Sequence, residues 1–324
     1  MGTTINRITR FQKLGLLLFL VVLAAVFAVA SPYFLTRENL TNVLVQSAVP
    51  IIASVGMTLV IATAGIDLSI GSILALSGIV MASVMKAGLG VTAGVTLGIL
   101  AGGVMGVLNG LGVARLGISP FIMTLGAAGI FRALALIFTE ARPIYGMPLS
   151  FRMFGIGRWG FMPLSVVLAA GVAGIGYLII SWTRFGTNAR AVGDNPQGAF
   201  RMGVPVAGTL VCVYAFSGLA AALAGVVVTS RLNTAEAIAG LGVELGAIAA
   251  VVMGGTSFFG GEGSIGGTLL GALIIAVLGN GLTILSVPSY YQQLVIGLVF
   301  ILAVAADRLR RKGSTYLKQI NPNH

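Results

Sequence analysis

Charge is scarce in this sequence. Only 8% of its 324 residues are charged, 57% are hydrophobic, and the mean hydropathy is +1.04. A soluble protein of this length needs far more charge to cover its surface. Because lipid solvates apolar side chains on every side, the composition indicates an all-α polytopic membrane protein.

Histidine and cysteine are almost absent. The only histidine is His324, the last residue, and the only cysteine is Cys212, which we expect to be a small buried hydrophobe in an apolar segment. This excludes an internal His/Cys metal site and the usual nucleophile pairs. The sequence has no Gly-Lys dipeptide, so it has no phosphate-binding P-loop. We therefore expect no enzyme activity, no metal and no cofactor bound by this chain.

Long apolar segments make up most of the chain and predict about ten transmembrane helices in a single domain, residues 1–324. Each is near the length that a helix needs to cross about 30 Å of hydrocarbon, although the segment at 244–259 is marginal. The first segment, Leu14 to Ala30, is either a retained helix or a signal peptide ending in Ala28-Val29-Ala30. The other segments are 42–65, 68–86, 90–113, 118–139, 163–182, 206–230, 244–259, 264–285 and 290–306.

The net charge of +11 reflects basic residues at the ends of these segments. With the N-terminus inside, twice as many basic residues fall on the cytoplasmic side as on the other side, as the positive-inside rule requires. Both termini and the stretch 183–206 are then cytoplasmic. No basic face of a soluble domain exists, so we expect no nucleic-acid partner. The inner set is Arg7, Arg10, Lys13, Arg115, Arg184, Arg190, Arg201, Arg308, Arg310, Arg311, Lys312 and Lys318; the outer set is Arg37, Lys86, Arg142, Arg152, Arg158 and Arg231.

One polar stretch, 183–206, interrupts the apolar pattern and concentrates four charges. Asp194 or Asn195 suits a helix N-cap, Pro196 the first helical position and Gly203 a C-terminal stop. We predict a short helix from Pro196 to about Met202 after a break at Gly193, with an earlier turn over 187–192. Such complete capping favours a docking element at the membrane surface over an ordinary loop.

Glycine recurs at every fourth position from Gly90 to Gly110. This is the small-xxx-small pattern extended along one helix, and it predicts a ridge for close helix packing.

Two segments share the pattern acid-x-Ser-Ile-Gly, beginning at Asp67 and at Glu262. Ser69 and Ser264 suit the caps of the following helices, with the acidic side chains favourable at helix N-termini. The alternative is a proton or cation site, which we disfavour because both segments are expected at the membrane edge.

Arg132 falls inside a predicted span. It is either functional, the default for an intramembrane charge, or it reaches the interface or pairs with Glu140.

The chain resembles the permease subunits of ribose-type bacterial ABC sugar importers over roughly residues 30–306. The residues that carry this resemblance occur in the family's order along the chain. They are Gly56 to Ile61, Gly65 to Ser72, Pro120 to Leu125 with Arg132, Arg184 to Gly186, Ala191 to Asn195, Ala199 to Gly203, Ala247 to Thr256, the glycines around Glu262, and Tyr290 to Gln292. The family usually has glycine at the position of Asp194, and Gly313 to His324 has no counterpart in it.

The resemblance implies a multi-pass permease of the bacterial inner membrane that works as a homodimer. A separate ATPase subunit would hold ATP and Mg²⁺, and a periplasmic sugar-binding protein would deliver a monosaccharide such as ribose. Residues 183–206 would be the cytoplasmic coupling loop. The candidate coupling residues are Arg190, Gly193, Asp194, Asn195, Ala199, Arg201 and Gly203.

An ion-coupled secondary transporter of a small polar solute is the alternative function. It would use Asp67, Glu262 or Arg132 for ion coupling. The structural or translocation candidates are Asp67, Ser69, Arg132, Glu262 and Ser264. The sequence does not identify the sugar.

Overall fold

The computed structural model describes the backbone of residues 2–320 and the side chains of residues 14–305 and Arg308. Within this range the chain is almost entirely helical, with two small antiparallel ladders. The helices are α1 Gly2–Ala30, α2 Arg37–Ala62, α3 Ile70–Lys86, α4 Gly90–Ala114, α5 Pro120–Thr139, α6 Leu149–Ile156, α7 Leu164–Trp182, α8 Arg184–Asp194, α9 Pro196–Arg201, α10 Val206–Leu232, α11 Val243–Met253, α12 Ile265–Ile284 and α13 Ser289–Ile320. The strands are β1 Ile144–Tyr145, β2 Arg158–Trp159, β3 Met162–Pro163 and β4 Thr234–Ala235.

Six described helices are long and apolar enough to span a membrane: α2, α4, α5, α7, α10 and α12. Four further apolar helices or helix parts are shorter, namely Leu14–Ala30, Ile70–Lys86, Val243–Met253 and Ser289–Ala305. The all-α multi-pass class predicted from composition is confirmed. The count of ten spans and the orientation of the termini stay predictions.

Helix α2 lies at the centre of the bundle. Between Ile52 and Ala62 every residue is buried, because α7, α10, α11 and α12 pack around it. A helix that is apolar on all sides is suited to this position. Polar pairs tie it to α12: the Asn39 and Asn280 amides bond each other at 3.0 Å, and the Thr58 and Thr268 hydroxyls at 2.8 Å.

The glycine ridge of α4 is a close-packing surface, as predicted. A Cβ on Gly102 would lie 2.6 Å from the Gly218 carbonyl oxygen, and one on Gly110 would lie 2.6 Å from the Cα of Val211. Gly94 and Gly98 make similar contacts with α3. Gly90 does not belong to the ridge: it starts the helix at φ +83°, and a Cβ there would meet nothing within 4 Å.

Cys212 is exposed, so the prediction of a buried cysteine was wrong. It lies on α10, on a side of the helix that the rest of the described chain leaves uncovered. A thiol is nearly apolar, so its exposure to hydrocarbon costs little free energy. The hydropathy pattern of α10 is apolar on all sides, so it could not show which residues face lipid and which face the core.

The connection 140–163 is folded. Phe151 of α6 is fully buried, and Gly155 lies against the backbone of Arg231 at the end of α10. Strand β1 pairs with β4 in the register Ile144↔Ala235, which joins this connection to the chain that follows α10.

Helix α11 is only eleven residues long, about 16 Å at 1.5 Å per residue. That is roughly half of a ~30 Å hydrocarbon layer. The marginal apolar segment at 244–259 is therefore a half-length helix, preceded by irregular turns at 236–242 and followed by a loop to α12.

We predict that Gly106→Ala destabilises the protein. The new Cβ would collide with the Tyr214 carbonyl oxygen, and overpacking of this kind costs ~1–3 kcal/mol. The matched control is Gly126→Ala in α5, where a Cβ meets nothing within 4 Å and better helix propensity should leave stability unchanged or raised. Thermal unfolding in detergent measures both; equal stability of the two variants would contradict the packing account.

Candidate functional site

The stretch 183–206 forms two short helices, α8 and α9, at one end of the bundle. Asn195 caps α9 by accepting a hydrogen bond from the Gly198 amide at 2.8 Å, with Pro196 at the first helical position. Gly203, at φ +82°, follows its last turn. These features confirm the predicted capping of α9.

The predicted break at Gly193 was wrong. Helix α8 runs from Arg184 through Gly193 to Asp194, so the expected turn at 187–192 is a full helix. Thr183 caps it by accepting from the Gly186 amide at 3.1 Å. The sequence suggested a break because glycine disfavours helix interiors, but here glycine is needed for packing.

Gly193 lets α8 touch the end of α2. A Cβ there would collide with the Ala62 carbonyl oxygen and would lie 2.8 Å from the Gly261 amide nitrogen. That amide donates to the Ala62 carbonyl at 3.1 Å. Three segments therefore meet through backbone atoms, namely the ends of α8 and α2 and the loop between α11 and α12. We call this contact the glycine seat.

The candidate coupling residues lie on different sides of α8 and α9. Ala199 is buried and anchors α9, whereas Asp194, Asn195 and Arg201 are exposed. Arg190 donates to the Ile180 carbonyl at 2.8 Å and so ties α8 to the end of α7. Its guanidinium is therefore engaged within the chain, and Asp194 and Arg201 are the exposed charged residues among the coupling candidates.

Sequence reasoning missed two residues of this surface. The side chains of Phe200 and Met202 are 73% and 85% exposed on either side of Arg201. Large apolar side chains next to an arginine are typical of the centres of protein interfaces. The signal was present as two apolar residues inside a polar insert.

Asp67 lies in a buried polar network. Its carboxylate accepts from the Ser69 amide at 3.0 Å, the Ser69 hydroxyl at 2.6 Å and the Ser217 hydroxyl at 2.7 Å. Asn109 in turn donates to the Ser69 hydroxyl at 2.7 Å. The network joins the α2–α3 connection to α4 and α10, and it provides the hydrogen bonds that a buried carboxylate requires.

One expectation for the acid-x-Ser-Ile-Gly pattern was wrong at its first copy, because Ser69 makes no capping bond to α3. Asp67 lies inside the bundle, since its partner Ser217 is eleven residues into α10, ~16 Å along its axis. The second copy behaves as predicted, since Ser264 caps α12 through the Gly267 amide at 3.2 Å, and Glu262 is exposed nearby.

Arg132 does not pair with Glu140. Its guanidinium donates to the carbonyl oxygens of Ala237 and Ala239, the latter at 2.8 Å. Glu140 instead ends α5 in a left-handed conformation. The charge inside the span therefore holds the irregular segment before α11, a partner separated from it by more than a hundred residues.

Comparison with known proteins places the chain in a family. The family described as "Branched-chain amino acid transport system / permease component" matches residues 39–304. The chain belongs to this permease family. The permease is 43% identical to the D-allose transport system permease protein AlsC of Escherichia coli (strain K12), covering 93% of each chain.

Two further relatives are similarly extensive. The ribose import permease protein RbsC of Bacillus subtilis (strain 168) is 42% identical over 92% of this permease and 93% of the relative. The galactose/methyl galactoside import permease protein MglC of Escherichia coli (strain K12) is 35% identical over 94% and 96%. No solved structure matches.

We predict that Gly193→Ala displaces α8 from the glycine seat of the permease, at a cost of ~1–3 kcal/mol. Insertion into the membrane should be normal, whereas transport should fall. The control is Gly208→Ala at the start of α10, where the nearest atom to a Cβ is Pro205 Cβ at 3.9 Å. Membrane content by immunoblot and solute uptake in vesicles measure the two effects, and undiminished uptake by Gly193→Ala would refute the seat.

We also predict that Ser217→Ala lowers the stability of the permease by ~1–3 kcal/mol, because it removes one donor from the buried Asp67 carboxylate. Ser54→Ala is the control: Ser54 is equally buried in a helix, and its hydroxyl has no hydrogen-bond partner in the described structure. Ser54→Ala should be neutral or stabilising in a thermal unfolding assay. The Asp67 network has no energetic role if the two variants unfold alike.

Proposed function

We propose that this permease is the membrane subunit of an ATP-binding cassette importer that translocates a monosaccharide. The single observation that carries the proposal is the whole-length similarity to import permeases named for allose, ribose and galactose. The family description names branched-chain amino acids, but the three relatives described above carry sugar names. Ribose or a related pentose or hexose is the proposed substrate class.

ATP is hydrolysed elsewhere, by an ATPase subunit that holds ATP and Mg²⁺. The α8–α9 surface supports this division of labour, because it offers Phe200, Arg201 and Met202 to a partner while the glycine seat holds α8 against α2. An arginine here suits a carboxylate on the partner through bidentate pairing. Closure of the ATPases would push α8, and the seat would pass that force to α2 and to the α11–α12 loop.

The proposed arrangement has ten spans, with both termini and the coupling loop 183–206 on the cytoplasmic side of a bacterial inner membrane. The basic-residue distribution supports this orientation. A periplasmic binding protein delivers the sugar to the other side. Two copies of the permease form the passage, since the middle of the single bundle is filled by α2 and the side chains around it.

Ion-coupled secondary transport receives less support. The Asp67 carboxylate already accepts hydrogen bonds at both oxygens, which is the pattern of a structural carboxylate. The whole-length relatives are also importer permeases.

Uptake of labelled sugar into proteoliposomes tests the function directly. The permease is reconstituted with its ATPase, and the sugar-loaded binding protein is supplied on the opposite side. We expect uptake of at least one of D-ribose, D-allose and D-galactose that requires ATP and the ATPase. Uptake that persists without the ATPase, in the presence of a sodium or proton gradient, would instead establish the secondary transporter.

The docking surface gives a second prediction. Phe200→Ala should weaken binding of the ATPase by about tenfold or more, because exposed aromatic anchors at interface centres contribute ~2 kcal/mol or more. Phe138→Ala is the control, since Phe138 is 68% exposed at the far end of α5. Both effects are measured by co-purifying the ATPase with each variant in detergent over a series of ATPase concentrations. Equal retention by the two variants would remove Phe200 from the contact.

A further inference from the structure

The chain around 236–242 has an irregular backbone at membrane depth. It follows β4, consists of turns, and leads into the half-length helix α11. Its depth is fixed by Arg132, which donates to the carbonyls of Ala237 and Ala239. Arg132 lies twelve residues from the start of α5 and seven from its end, ~18 Å and ~10 Å along the axis. We call residues 236–242 the re-entrant segment.

Contacts with α3 agree with this depth. A Cβ on Gly240 would lie 2.8 Å from the Gly71 carbonyl oxygen, and Gly71 is the second residue of α3. The last residue of that helix, Lys86, lies fifteen positions further along, ~22 Å away. The re-entrant segment has therefore descended well below the outer end of the bundle before α11 begins.

The re-entrant segment has an open side. Ile238 and Leu241 are 61% and 62% exposed, and Gly242 is exposed with nothing within 4 Å of a Cβ. Irregular backbone at membrane depth is tolerated only against protein or a water-filled cavity, because hydrocarbon cannot satisfy its polar groups. The space beside this segment is thus filled by water or by protein.

Two charges mark this space as polar. Arg132 and Glu244 are both partly exposed; Arg132 binds the carbonyl groups of the re-entrant segment, and Glu244 follows that segment in the first turn of α11. One oxygen of Glu244, Oε1, accepts from the exposed Gly242 amide at 3.2 Å, whereas Oε2 is buried against Gly71 of α3. A hydroxyl donor can therefore reach this carboxylate only at Oε1.

We propose that Arg132, Glu244 and the re-entrant segment form the contact site for the sugar on its way through the membrane. The proposal rests on the sugar-importer function. The guanidinium supplies donors, and Oε1 of Glu244 supplies an acceptor, which together match hydroxyl groups that both donate and accept. The pair has no net charge, which suits a neutral solute and leaves one rival, a zwitterionic amino acid.

Cysteine accessibility tests whether the site faces water. In a Cys212→Ser background, Leu241→Cys and Ile238→Cys are labelled with a membrane-impermeant charged methanethiosulfonate reagent in the assembled complex. Leu100→Cys is the control, since Leu100 is 54% exposed in the middle of α4. We expect both site cysteines to react about tenfold or more faster than the control. Reaction no faster than at Leu100, or a Leu241 disulfide between two copies that blocks labelling, would overturn the proposal.

Solute contact is tested with Glu244→Gln, measured as solute taken up per ATP hydrolysed with D-ribose, D-allose, D-galactose and L-leucine. We expect the ratio for the transported sugar to fall about tenfold, as loss of one charge-assisted contact predicts. A purely structural role would reduce the amount of complex and leave the ratio unchanged, which would overturn the site. Uptake of L-leucine in place of every sugar would refute both the sugar function and the assigned ligand. The cysteine labelling tests separately whether the site faces water, whatever the transported solute is.

Discussion

Direct backbone contact through glycine is the constraint on which this bundle depends. The same arrangement occurs where α4 crosses α10, where α8 meets α2, where α11 crosses α12 at Gly254 and Gly267, and where α3 meets the re-entrant segment at Gly71. Helices in lipid gain no hydrophobic energy by associating, so close approach and van der Waals contact must hold them together. Each of these junctions would be lost if a side chain entered it.

These junctions also explain how a surface loop can act on a membrane core. At the glycine seat no flexible side chain separates α8 from α2, and packed backbone is poorly compressible. From there the chain continues in two directions, through the α2–α3 connection with its buried Asp67 and through the loop into α12. A force on α8 therefore meets two paths into the bundle. One leads to the buried Asp67 network, and the other leads through the loop that joins the half-length helix α11 to the full-length helix α12.

The sequence predicted what depends on local pattern. Hydropathy located the apolar helices, and the capping residues located α9, because lipid contact and helix ends leave local signals. Depth was not predictable in this way. Asp67 lies between two apolar segments, which predicts a position at the membrane edge. In the structure, however, the α2–α3 connection that carries Asp67 contacts the middle of α10. Arg132 found its partners in Ala237 and Ala239, whose carbonyl groups have no sequence signature. Gly193 read as a helix break because a single sequence does not show which glycines touch another backbone.

The glycine junctions also set the genetic tolerance of this protein. Every missense change at Gly193, Gly106 or Gly254 adds at least a methyl group, so these codons have no mild allele. At Gly126, Gly171 and Gly279, by contrast, the neighbouring space is open, and alanine or serine has room. Substitutions should therefore accumulate first at the glycine positions with open space around them. The glycines that tolerate no replacement in a mutagenesis screen would identify the backbone junctions of the bundle.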